Sequence, residues 1–221
     1  MIKIKNLDFS YPDRGFRIRI PTLEIGKGDR IALAGPSGSG KTTLLNLMAG
    51  IIVPQSGLVS LGEKLISSET DAARRRLRLG KIGFVFQDFG LIEYLPIHEN
   101  IMLPALVNRT VPISSDLRKR AVQLCSDMGL PDDKRKRVEK LSQGEKQRVA
   151  ICRAVLTSPE YIFADEPTGN LDSENGAMVM DLLYEQASAN GSTLIVVTHD
   201  PLVLERFETV VKCEAFRETE Q

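Results

Sequence analysis

Apolar positions alternate with polar ones near the amino terminus, recur at helical spacing in the middle of the chain and gather into short runs towards its end. Ile2, Ile4 and Leu7, with Phe9 close behind, predict a strand. Phe16, Ile18 and Ile20 alternate with Arg17 and Arg19 and predict a second, with one wet face. A third, Ile31 to Ala34, runs directly into a glycine-rich turn, and Thr42 to Ala49 predicts a helix that ends near Gly50. Leu58 to Leu61 and Ile82 to Phe86 read as further strands. From Phe89 to Thr157 helical signals and loops dominate. Ser114 and Ser115 offer caps, Leu117, Ala121, Leu124, Cys125 and Met128 recur at helical spacing, and Gly129 and Pro131 close that helix. Strand signals return at Tyr161 to Ala164 and Thr193 to Thr198, on either side of a helix from Ser173 to Ala189 that Asn190-Gly191 stops. Strands alternating with helices imply an α/β fold with a mostly parallel sheet.

The 221 residues suffice for one or two domains with a sizeable core. With 42% hydrophobic and 26% charged residues the chain is no disordered segment, and its 29 basic residues balance 29 acidic ones. That balance argues against a generic nucleic-acid surface. Two basic runs, Arg74-Arg75-Arg76-Leu77-Arg78 and Lys134-Arg135-Lys136-Arg137, read as solvated faces or ion-pair partners. No stretch approaches the ~18–20 apolar residues of a membrane span, and the first residues lack an apolar signal core. The expectation is a cytoplasmic protein, peripheral if it works at a membrane. Cys125, Cys152 and Cys213 show no metal-ligand spacing and read as buried small hydrophobes.

The glycine-rich turn carries chemistry. Gly35-Pro36-Ser37-Gly38-Ser39-Gly40-Lys41-Thr42 matches G-x-x-x-x-G-K-S/T, follows a predicted strand and opens a predicted helix, as a phosphate-binding loop must. Its backbone N–H groups can converge on phosphate oxygens, the helix amino terminus adds positive charge, Lys41 can reach the β- and γ-phosphates and Thr42 can ligate Mg²⁺. The motif implies a P-loop NTPase core. Alone it does not separate kinases, GTPases, motors and ATPases, although no guanine-specific N-K-x-D follows.

Further on, the apolar run Tyr161-Ile162-Phe163-Ala164 ends in Asp165-Glu166. Asp165 would stand where open α/β sheets bind ligands and can hold Mg²⁺; Glu166 can orient or deprotonate an attacking water. Leu141-Ser142-Gln143-Gly144-Glu145 precedes another helix. Ser142 with Glu145 reads as a capping box, and a Ser hydroxyl beside a helix amino terminus is also a possible second anion site.

In this order GPSGSGKT, LSQGEKQRVAICRA, YIFADEPTGNLD and VVTHD resemble the nucleotide-binding subunit of ATP-binding-cassette (ABC) transporters over essentially the whole chain. The resemblance implies a P-loop core with amino-terminal antiparallel strands over residues 1–88 and 158–221, and an inserted α-helical subdomain over 89–157. It implies an ATPase in which two subunits face head to tail around two ATP, with Ser142, Gln143, Gly144 and Glu145 acting across the interface. Tyr11 matches the aromatic that stacks on adenine, although a lone Tyr at a strand end is more often packing. Thr43 joins the phosphate loop in the ATP-binding set. Gln87 matches the glutamine that touches Mg²⁺ or water, Asn170 and Asp172 the loop between the two sites, and His199 the histidine that contacts the γ-phosphate and supports Glu166. Gln143 stands where the commonest signature has Gly. The stretch Ala164 to Asp172 is most similar to the branch serving lipoprotein release, macrolide or peptide export and cell-division signalling. The partners implied are an integral membrane permease and a second copy or paralogous ATPase, with no nucleic acid. The work implied is export or mechanotransmission. The alternatives are an ATPase that regulates a membrane complex without transport, and a soluble non-transport member of the family.

Overall fold

The computed structural model describes residues 1–12, 15–108, 111–131 and 136–218; Lys134 and Arg135 of the second basic run lie outside them. β1 (Ile2–Tyr11) and β2 (Phe16–Ile25) form an antiparallel hairpin. β4 (Ser56–Leu61), β5 (Lys64–Leu65) and β10 (Arg217–Glu218) complete this sheet in the order β10-β2-β1-β4-β5. The second sheet is parallel throughout. It comprises β3 (Arg30–Ala34), β6 (Ile82–Val85), β7 (Tyr161–Asp165), β8 (Thr193–Val197) and β9 (Thr209–Lys212), in the order β6-β7-β8-β3-β9.

Every position of β7 and β8 is buried, as expected of central parallel strands covered on both faces. Successive side chains divide two cores between those faces. Leu33, Phe163, Ile195 and Val197 join α1 (Lys41–Met48) and the apolar side of β1 and β2. Ala32, Ile162, Ala164, Leu194 and Val196 join the helices on the other side. Those are α3 (Ile97–Val107), α4 (Ser115–Asp127), α5 (Gln143–Val155) and α6 (Ser173–Asn190). The expected helical stretch is therefore present as α3, α4 and α5 between β6 and β7. Ser114 caps α4 by accepting from Leu117 N–H, and Gly191, left-handed at φ 62°, ends α6.

Several elements exceed the sequence reading. β2 continues past Pro21 to Ile25, because Pro21 and Asn6, itself left-handed at φ 48°, fall between the ladder pairs Leu7↔Ile20 and Lys5↔Thr22. The first basic run lies in α2 (Asp71–Lys81). Arg75 and Arg74 pair with Asp71 at 2.9 and 3.6 Å as expected, and Arg74 and Arg78 also turn inward and donate to the Gly50 carbonyl at 3.0 and 2.7 Å. They satisfy and neutralise the carboxyl end of α1 rather than forming a solvated face. β9 and β10 carry the chain back along both sheets. Cys152 and Cys213 are buried, whereas Cys125 is only half-buried.

Candidate functional site

Four strands of the parallel sheet end at one place. β3 runs into the phosphate loop, β6 leads to Gln87, β7 ends in Asp165-Glu166, and β8 leads to His199. All leave the carboxyl edge of the sheet, where such sheets bind ligands. With Tyr11 and Phe16 from the β1–β2 hairpin, and Arg217 from β10, these loops line a cleft of about 550 Å³. Ser37, Gly38, Gly40, Lys41, Thr42 and Thr43 all face it. Gly40 is the N-cap of α1 at φ 96°, and a Cβ there would lie 2.8 Å from Phe16 Cζ. Only glycine lets the backbone turn there while the aromatic ring packs against it.

The charged groups are tightly arranged. Lys41 Nζ, almost buried, donates to the carbonyls of Gly35 and Pro36 at 2.7 and 3.1 Å and lies 4.0 Å from Glu166 Oε1. Glu166 Oε1 in turn lies 2.8 Å from His199 Nδ1. Glu166 is held at φ 45°, a left-handed conformation uncommon for this residue type, while its N–H donates to Val197 O. Thr42 Oγ1 donates to Asp165 Oδ1 at 3.2 Å. Burial raises the Asp165 carboxyl above its usual range; the neighbouring Glu166 charge adds to that, while the Thr42 hydroxyl and Lys41 oppose it.

The other residues singled out in the sequence lie elsewhere. Ser142 is the N-cap of α5 and completes the capping box: its hydroxyl accepts from Glu145 N–H at 3.2 Å, and its own N–H donates to Glu145 Oε2 at 2.8 Å. Burial pushes the Glu145 carboxyl up, but the Ser142 donors and Lys136 outweigh it and hold it below the ordinary range. Ser142, Gln143, Gly144 and Glu145 do not line the cleft of their own chain. Asn170 Nδ2 donates to the Gln87 carbonyl at 2.8 Å, tying the loop after β7 to the loop after β6. Asp172 caps α6, and the Asn175 backbone and side-chain N–H groups lower its carboxyl.

Two residues that the sequence reading passed over join this region. Arg217 lines the cleft beside Phe16. Arg153, 7% exposed on α5, donates to Gly90 O at 2.5 Å and Phe89 O at 2.6 Å, just beyond Gln87. No local motif marks either contact; both depend on pairing between distant segments.

The ABC transporter family model matches residues 18–169. The chain is 39% identical over 205 residues to the lipoprotein-releasing system ATP-binding protein LolD of Legionella pneumophila (strain Paris), covering 91% of this chain and 89% of that one. It is 40% identical over 205 residues to the LolD of Hydrogenovibrio crunogenus, covering 90% and 87%. Among solved structures it is similar to a dimeric post-hydrolysis state of the ATP-binding cassette MJ0796 bound to ADP and Pi. The TM-score is 0.85, with 34% identity and coverage of 100% of this chain and 99% of that one. It is also similar to cbiO1 from Clostridium perfringens, part of the ABC transporter complex cbiONQ, with TM-score 0.81, 29% identity and coverage of 99% and 88%. Agreement of this extent in sequence and in fold shows that the chain belongs to the ABC transporter family, as an ATP-binding, ATP-hydrolysing subunit.

Proposed function

We propose that this ATPase works as a head-to-tail dimer and drives a separate membrane permease from the cytoplasmic face, for export or mechanotransmission. The observation that carries the permease reading is an apolar groove of about 340 Å³ beside the cleft, between the parallel sheet and α3. Ile51, Phe86 and Val107 line it and are exposed, and Arg153 connects its wall to the loop that holds Gln87. An apolar hollow of this kind suits a short amphipathic helix of a partner protein. No helix of the described residues is long and apolar enough to cross a membrane, so such a partner would supply the span. Relatives named for lipoprotein release, and one that is part of a transporter complex, support the same reading. The helical segment 89–157 would act as the lever, moving as a body when two copies close.

In the cleft, the adenine stacks on Tyr11 and the phosphates take the N–H groups from Gly38 to Thr43. Lys41 exchanges its contacts with Gly35 and Pro36 for phosphate oxygens. The hydroxyl of Thr42 beside the buried carboxyl of Asp165 fits Mg²⁺, which prefers one or two protein oxygens together with phosphate, and Gln87, which lines the same cleft, would join them. Bound there, Mg²⁺ would neutralise charge on the β- and γ-phosphates. Glu166, oriented by His199, takes the proton of the water whose oxygen attacks the γ-phosphorus, as the bond from that phosphorus to the β–γ bridging oxygen breaks and ADP departs with the electron pair. Ser142 and Gly144 stand away from this cleft, at the start of α5, and would meet the γ-phosphate bound by a second copy. Gln143 keeps the N–H there but adds a side chain.

Lys41→Ala is expected to weaken ATP binding by about 10- to 100-fold, the worth of a charge-assisted phosphate contact, and equilibrium dialysis with labelled ATP measures it. Retained affinity would remove Lys41 from the phosphate set. The permease reading is tested by affinity capture of tagged Glu166→Gln from native membranes with ATP or ADP. Recovery of an integral membrane protein that Val107→Asp in the groove abolishes is the expected result. Recovery of ribosomes or nucleic-acid complexes, or no membrane protein, would overturn it.

A further inference from the structure

Arg217 has no part in the motifs, yet the fold brings it from the far end of the chain to the nucleotide cleft. Its strand is short, and its position rests on two devices. Backbone pairing sets Arg217 opposite Ile18 and Glu218 opposite Arg17 on β2. Glu218 then joins a charge cluster: it contacts Arg19 at 2.6 Å and Arg17 at 3.7 Å, and both arginines also hold Asp8. Asp8 is drawn down to about 2, chiefly by its hydrogen bond from Arg17. The strand is thereby fixed while the Arg217 side chain stays exposed, with its guanidinium 5.9 Å from the centroid of Phe16. Among the described residues no carboxylate pairs with it. Such a guanidinium stacks on an aromatic ring and keeps its donors free at the edge.

The position of Phe16 says what those donors face. On one side its ring packs against Gly40, at the start of α1; on another it meets Tyr11, with ring centroids 5.8 Å apart. Phe16 thus stands between the phosphate end of the cleft and the aromatic end. Lys41 and Arg217 both line the cleft, the first from the phosphate loop and the second from β10.

We propose that Arg217 is a nucleotide-positioning residue, its guanidinium on Phe16 donating to the α-phosphate of bound ATP or ADP. This rests on the reading of the cleft as the nucleotide site. Its consequence is that β10 reports to the cleft: the nucleotide joins the phosphate loop of one sheet to the last strand of the other.

The test is nucleotide affinity of the full chain by isothermal titration, with ADP and adenosine as probes, for wild type, Arg217→Ala, Arg217→Lys and Lys41→Ala. Arg217→Ala is expected to weaken ADP by about 10-fold and to leave adenosine within twofold. Arg217→Lys restores part of the loss. In steady-state turnover KM for ATP rises by a similar factor while kcat stays within twofold, a split that a merely structural defect would not give. Unchanged ADP affinity in Arg217→Ala overturns the proposal, and so does an equal loss for adenosine, which would mean contact with base or ribose. Lys41→Ala separates the two readings. If it also leaves ADP affinity intact, the cleft itself is misassigned; if it weakens ADP while Arg217→Ala does not, only the role of Arg217 fails.

Discussion

Glu166→Gln is expected to lower ATP turnover by about 10²- to 10⁴-fold while leaving ATP bound. The substitution keeps the size of the side chain and its ability to accept from His199 Nδ1, 2.8 Å from Oε1, but removes the carboxylate proposed to take the proton of the attacking water. It also removes the negative charge 4.0 Å from Lys41 Nζ, which leaves that ammonium freer to hold phosphate. Affinity for ATP should therefore hold or rise as turnover collapses, and ATP-bound dimers should accumulate. Phosphate release under single-turnover conditions, with size-exclusion chromatography in ATP, measures both. Turnover within tenfold of wild type would take the proton-transfer role away from Glu166. The left-handed backbone at Glu166, φ 45°, belongs to the same argument. A conformation that costs about 1 kcal/mol or more persists at sites where it aims a side chain. Here the Val197 carbonyl accepts from Glu166 N–H at 2.9 Å and fixes the turn.

The residues that gather in the cleft were legible where chemistry and chain direction coincide. A strand leading into Gly35 to Thr42, an apolar run ending in Asp165-Glu166, and another leading to His199 each place the informative residue at a strand's carboxyl end, and a parallel sheet brings such ends together. Ser114 and Gly191 were legible for a different reason, since caps act within a few residues of themselves. What failed to show were contacts of long sequence separation between short or polar segments. α2 buries none of its residues fully; Leu77 alone packs against the core from it, and two guanidiniums on one carbonyl carry the rest. β10 spans only Arg217 and Glu218 and acquires meaning from β2, about 200 positions earlier. The capping-box and anion-site readings of Ser142 differ in the same way. One is local and visible within α5; the other, in the proposed dimer, would need the surface of a second copy.

Arg153 also depends on long-range pairing, and Arg153→Met is expected to cost about 3 kcal/mol of unfolding free energy. Arg153 is buried on α5, and burial lowers its guanidinium to about 10, opposed by the nearby Asp88 charge, so it remains a cation at neutral pH. Its two nitrogens satisfy the carbonyls of Phe89 and Gly90, both left-handed, at φ 63° and 54°. Methionine fills similar space but leaves both carbonyls without their donor, and a non-glycine residue at positive φ without the contact that holds it. The same loop is held on its other flanks by Asn170, through the Gln87 carbonyl, and by Asn100, which donates to and accepts from the backbone of Ile92 at 2.9 and 2.8 Å. Three elements thus grip one loop, and Arg153 is the grip that comes from the helix carrying Ser142 and Gly144. Arg153→Lys keeps the charge but offers no planar fork for two carbonyls, so it should recover less than half of the loss. Urea unfolding followed by circular dichroism measures both variants. A cost below about 1 kcal/mol for methionine would show that the other two grips suffice, and that α5 does not set the position of Gln87.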